Sequence, residues 1–126
     1  MLLLSKTKKN KRNFDLPNNE RIFFITCGYL HTISLTENNL CYVWGWNEYG
    51  ELGLGDTNNR SSPTLFSLPN DERISFITCG FDYTIYLTEN NLPYVWGDNY
   101  YGELGLGDTN NRFTPTLLNL FNLETF

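Results

Sequence analysis

Apolar residues in this chain come in short runs broken by polar turns, and where they alternate they do so at period two, with no helical period anywhere. The run ERIFFITCG, residues 20–28, sets β-branched and aromatic side chains together and ends at Gly28. HTISL follows and alternates, with Ile33 and Leu35 on one face and Thr32 and Ser34 on the other. TENN is a polar turn in which Asn38 and Asn39 tolerate positive φ. LCYVWG, residues 40–45, is apolar on both sides, as a strand covered on both faces must be. Together these segments predict a β-hairpin preceded by one more strand. GELGLGDTNNR, residues 50–60, has glycines too closely spaced for a helix and predicts a fixed loop. In it Leu52 and Leu54 plug apolar space, and Asp56 accepts local backbone hydrogen bonds. Pro63 then opens a last edge-like strand, TLFSL, where a missing N–H does least harm.

The whole pattern occurs twice. VWGWNEYGELGLGDTNNR, Val43 to Arg60, returns as VWGDNYYGELGLGDTNNR, Val95 to Arg112. Residues 13–64 align with residues 65–116 without a gap, and 39 of the 52 positions are identical. Four strands in a unit of this length, repeated in register, predict propeller blades. The expected architecture is all-β: a partial β-propeller of two four-stranded antiparallel blades, residues 13–64 and 65–116, with residues 117–126 starting a third. Residues 1–12 form a basic N-terminal tail. A blade cannot bury both faces alone, so two blades leave apolar faces and strand edges exposed. Three readings stay open: a piece of a longer protein, a short divergent product, or a chain that self-associates to complete a ring.

Composition supports strands. Aromatic residues make up 16% of the chain and Ala is absent. The net charge of −5 is unevenly placed, because Lys6, Lys8, Lys9, Lys11 and Arg12 hold five of the nine basic residues. The rest of the chain carries four arginines against all fourteen acids, which disfavours a nucleic-acid groove on the body. Nucleic-acid or chromatin contact is confined to Lys6–Arg12. The three cysteines, Cys27, Cys41 and Cys79, show no metal spacing and read as small, buried, reduced thiols. The apolar run Met1–Leu4 is too short for a signal peptide and its basic residues follow it. No run is long enough to span a membrane. An intracellular chain, cytoplasmic or nuclear, without cofactor or metal, is the expectation.

The repeated residues resemble the regulator of chromosome condensation repeat family. In the first copy these are Cys27-Gly28, His31-Thr32, Trp44-Gly45, Asn47, Gly50, Leu52, Gly53, Gly55 and Pro63. In the second they are Cys79-Gly80, Thr84, Trp96-Gly97, Asn99, Gly102, Leu104, Gly105, Gly107 and Pro115. Two departures stand out: the family's Gln before Leu is Glu51 and Glu103, and His31 is replaced by Tyr83. The resemblance implies a propeller whose rim loops bind partner proteins. Some members are exchange factors for a small nuclear GTPase that also dock on chromatin, and others sit beside ubiquitin-ligase or trafficking domains. Light-sensing members use a Gly-Trp-Arg-His-Thr segment, and both copies here lack its Trp and Arg.

The leading expectation is a non-catalytic protein-interaction module, with exchange-factor-like regulation of a small GTPase as the alternative. Identical positions hold the scaffold, so positions that differ between copies are the candidate partner-binding residues. They are Tyr29, Leu30 and His31 against Phe81, Asp82 and Tyr83, and Trp46 and Glu48 against Asp98 and Tyr100. His31 has no Ser or Cys at a hydrolase spacing, and GELGLG does not lead from a strand into a helix, so neither nucleophilic catalysis nor a phosphate cradle is expected.

Overall fold

The structure is a computed structural model and describes residues 16–120. Four strands, β1 (Ile22–Cys27), β2 (His31–Thr36), β3 (Cys41–Gly45) and β4 (Arg60–Phe66), form one antiparallel sheet in chain order. A second sheet repeats it with β5 (Ile74–Cys79), β6 (Tyr83–Thr88), β7 (Pro93–Gly97) and β8 (Arg112–Leu117). Short 3-10 turns, Pro17–Asn19 and Pro69–Asp71, lead into the two sheets. The basic stretch Lys6–Arg12 lies outside the described residues. Among the described residues no helix is long and apolar enough to cross a membrane.

The β2–β3 hairpin forms where the turn chemistry asks for it. Asn39 takes φ 65° and its N–H donates to the Thr36 carbonyl at 2.9 Å. The Thr36 hydroxyl then accepts the Leu40 N–H at 3.0 Å. Asn91, Thr88 and Leu92 repeat this arrangement. The expected start of the last strand is corrected: β4 begins at Arg60, not at Pro63. Pro63 is tolerated inside β4 because the pairing with β3 shifts register between Val43 and Gly45, where no ladder bond is required of it.

The two sheets share one core. Ile33, Leu35, Val43, Leu52 and Phe66 come from the first, and Ile74, Ile77, Tyr86, Tyr94 and Trp96 from the second. Phe66 stacks on Trp96 at 5.1 Å and meets the Tyr86 edge at 6.4 Å. The two sides of the pair differ. Ile74 and Ile77 are 3% and 1% exposed, whereas their counterparts Ile22 and Ile25 are 44% and 50% exposed. The cysteine expectation needs the same correction. Cys41 is buried, but Cys79 is only half-buried and Cys27 is exposed, because among the described residues no further sheet covers β1.

Candidate functional site: a rim of turns

The β1–β2 turn is closed by the Gly28 N–H, which donates to the His31 carbonyl at 2.9 Å. Gly80 and Tyr83 close the β5–β6 turn in the same way. Each turn is tied to the loop that follows the third strand of its sheet. The Trp46 N–H donates to the Leu30 carbonyl at 2.9 Å, and the Asp98 N–H to the Asp82 carbonyl at 3.0 Å. The turns of the two sheets are also tied to each other. The Tyr29 N–H donates to the Phe81 carbonyl at 2.8 Å, and the two rings stack at 4.2 Å with planes 16° apart. The result is one continuous rim carrying Tyr29, Leu30, Phe81 and Asp82 at its crest, with Trp46, Glu48, Asp98 and Tyr100 beside them.

The loops behind the crest are held rigidly. Asn47 is fully buried, and its amide donates to the Asp56 carbonyl, the Asp56 carboxylate and the Asn58 carbonyl, each at 3.0 Å. Its side-chain oxygen accepts the Leu52 N–H at 2.9 Å. Asp56 accepts the Asn58 N–H and takes two hydrogen bonds from Arg60, at 3.2 and 2.9 Å. Asn99, Asp108 and Arg112 rebuild the same lock, and the Arg112 contact holds the Asp108 carboxyl down at about 2. The local role expected of Asp56 is seen. The hub itself is Asn47, which was legible only as one of the motif's repeated positions.

The rim is acidic as well as aromatic. The Asp82 carboxyl is raised first by burial and then by Asp98 and Glu103. The Tyr49 phenol is raised chiefly by Glu48, with Asp98, Asp82 and Glu51 adding to it. Asp98 and Glu103 thus lie within electrostatic reach of Asp82, and Glu48 within reach of Tyr49. The described arginines are engaged elsewhere: Arg21 with Glu37, Arg60 with Asp56, Arg73 with Glu89 and Arg112 with Asp108. Among the described residues no three His, Cys, Asp or Glu side chains gather as a metal site.

The candidate residues separate by placement. Tyr29, Leu30, Glu48, Phe81 and Tyr100 are exposed, and Trp46, Asp82, Tyr83 and Asp98 are half-buried. His31 is corrected, because it is buried and faces the joint between the sheets. Its Nε2 lies 2.9 Å from the Thr84 hydroxyl, which donates to the Glu51 carbonyl at 3.1 Å. That hydroxyl is therefore the acceptor for His31, and Nε2 carries the proton. Burial lowers the imidazole to about 4, so it is neutral. Two rim residues escaped the comparison of copies. Tyr49 and Tyr101 are identical in both repeats, yet Tyr101 is 84% exposed and meets Tyr100 edge-on at 4.8 Å.

The regulator of chromosome condensation (RCC1) repeat profile matches residues 38–87 and 93–124, and a second profile of the same repeat matches residues 24–51 and 74–103. The chain is 32% identical over 107 residues to the ultraviolet-B receptor UVR8 of Arabidopsis thaliana, covering 85% of this chain and 24% of that protein. It is 41% identical over 98 residues to the X-linked retinitis pigmentosa GTPase regulator of Canis lupus familiaris, covering 78% of this chain and 10% of that protein. The chain thus spans a quarter or less of these relatives. Among solved structures, yeast RCC1 (Prp20) bound to Kap60 superposes with a TM-score of 0.73 at 23% identity, over 82% of this chain and 26% of that one. Human WBSCR16 gives 0.72 at 24% identity, over 82% and 27%. The fold is that of β-propeller blades, and the chain belongs to the regulator of chromosome condensation (RCC1) repeat family.

Proposed function

We propose that this chain is a non-catalytic protein-interaction module, working inside the cell, that binds a protein partner through its rim. The observation that supports this is the continuous crest in which Tyr29 and Phe81 stack while Asp82 and Asp98 stand close by, with the four described arginines each paired to another acid. Aromatic side chains supply large contact area at low entropic cost and dominate interface energetics. Carboxylates beside them favour a partner segment carrying Arg or Lys, through charge-assisted hydrogen bonds and cation–π contact. Regulation of a small GTPase is the finer alternative, and it is favoured by the 41% identity to a protein named as a GTPase regulator.

A peptide array of graded charge, probed with the purified chain, tests this reading. Binding should concentrate on Arg- and Lys-bearing peptides, weaken with salt, and fall at least tenfold in a Tyr29→Ser/Phe81→Ser variant. Binding that ignores both the peptide charge and the double substitution would refute it.

A further inference from the structure

The two sheets also frame a cleft at the end of their joint away from the rim. β2 starts in the rim at His31 and runs to the turn that carries Asn38 and Asn39. That turn forms one wall of the cleft, and the connection from β4 to β5 forms the other. Both walls are fixed. The Asn39 side chain exchanges two hydrogen bonds with the Ile74 backbone, at 3.3 and 3.2 Å. In the connection, Asn70 and Asp71 take φ of 57° and 52°, and the Glu72 N–H donates to the Pro69 carbonyl at 3.3 Å. The cleft has a volume of about 260 Å³. Clefts that take a whole small molecule begin at about 300 Å³, so this one suits a single long side chain.

Its lining combines aliphatic surface with carboxylates. Leu40, Leu65 and Leu68 all line it, and Leu65 is 51% exposed. Asp71 is exposed and Glu72 half-buried, and neither has an ion-pair partner among the described residues. Arg73 lies beside them, but its charge is taken by Glu89 at 3.4 Å. A further acid, Glu20, is held at the turn by the Asn38 amide at 3.2 Å. Behind this lining lies a buried polar group. Tyr86 is fully buried, and its hydroxyl has no hydrogen-bond partner among the described residues. The phenol is raised first by burial and then by Tyr94, Cys41 and Glu72. Cys41 and Glu72 both belong to the lining, so the hydroxyl is within electrostatic reach of it. A buried hydroxyl left unpaired costs folding free energy, which a donor that reaches it would recover.

We propose that this cleft receives one arginine side chain of a partner protein. The aliphatic stem lies along Leu40, Leu65 and Leu68, as the stems of long cationic side chains do on apolar surface. The guanidinium pairs with the Glu72 carboxylate and donates to the Tyr86 hydroxyl. Arginine suits the site better than lysine, because its planar fork of donors serves two fixed acceptors at once. The volume admits the side chain and leaves the partner's backbone outside. The site lies at the other end of the strands from the rim and does not rest on the rim's binding anything.

Nuclear magnetic resonance titration of the isotope-labelled full chain with N-acetyl-arginine amide tests the proposal. Amide shifts should saturate at Asn39, Leu40, Leu65 and Glu72. N-acetyl-norleucine amide, which has an aliphatic stem and no charge, should bind about tenfold more weakly. Glu72→Gln should weaken arginine binding about tenfold, and Tyr86→Phe about fivefold. The rim variant Tyr29→Ser/Phe81→Ser should leave it unchanged. Tyr86→Phe removes only an unpaired hydroxyl, so thermal melts should show a fold at least as stable as the wild type. Leu65→Lys, at an exposed position, sets a competing cation in the cleft and should abolish binding, which keeps the test decisive if Tyr86→Phe does not fold. Shifts that never saturate, or that fall only in the rim, overturn the proposal. So does norleucine binding as tight as arginine binding, or arginine binding that any of the three cleft substitutions leaves unchanged.

Discussion

Replacing Glu51 by Gln should stabilise this chain at neutral and alkaline pH and leave it unchanged in acid. Glu51 is 1% exposed, and its Oε1 accepts the Tyr49 N–H at 2.8 Å. Burial pushes its carboxyl from an ordinary 4.5 up to about 7. An acid raised in this way keeps its proton in the folded chain at pH values where the unfolded chain has already lost it. Its cost to folding is absent below pH 4.5, grows as the pH rises from 4.5 through 7, and is constant above that. At about 1.4 kcal/mol per pH unit, that interval is a cost on the order of 3 kcal/mol above pH 7. Gln removes the ionisation but keeps a carbonyl to accept the Tyr49 N–H. Urea unfolding followed by tryptophan fluorescence should therefore show a gain near this size at pH 8 that vanishes towards pH 4.5. Glu103→Gln is the control, because Glu103 is only half-buried, with no sheet over it among the described residues. Its effect should stay within about 0.5 kcal/mol. A gain equal at both pH values, or a Glu103→Gln gain as large as that of Glu51→Gln, would refute the reasoning.

Other substitutions follow from the same geometry. His31 works in the opposite direction to Glu51. Burial lowers it from 6.5 to about 4, so the unfolded chain binds a proton the folded chain refuses, and stability falls as the pH drops from 6.5 towards 4. The full loss is on the order of 3 kcal/mol, and His31→Gln in the Glu51→Gln background should flatten that acid limb in the same urea titration. Trp96→Ala should cost about 3–5 kcal/mol, since the side chain is fully buried, whereas Trp44→Ala on the half-buried outer face should cost clearly less. Thermal or urea melts of the two variants side by side check this. Asn47→Ala empties the hub of its loop and should cost about 3 kcal/mol, because it strands the Leu52 N–H and the Asp56 and Asn58 carbonyls. Hydrogen exchange should show faster exchange of the Leu52 amide in that variant.

The fold was legible because its signals are local. Asn39 and Asn91 must reach positive φ, and the Gly-Leu-Gly loop must turn tightly, wherever the repeat sits. The rim was legible in part, because Tyr29, Phe81, Asp98 and Tyr100 stand at positions free to vary. What a single repeat cannot reveal is the sheet packed against it. His31 looked like a rim residue because it differs from Tyr83, but as the first residue of β2 it faces the joint, where the Thr84 hydroxyl receives it. Tyr101 was passed over because it matches Tyr49, although little covers it. Glu51 and Glu103 make the point most sharply. They share one letter, one motif and one side-chain hydrogen bond to the backbone two residues earlier, at 2.8 Å in each. Only Glu51 lies under a second sheet, and burial there is the largest cause of its raised carboxyl. Identity between repeats thus fixes backbone geometry, whereas protonation and exposure are properties of the joint. The chemistry of any one blade has to be read together with the face of the next.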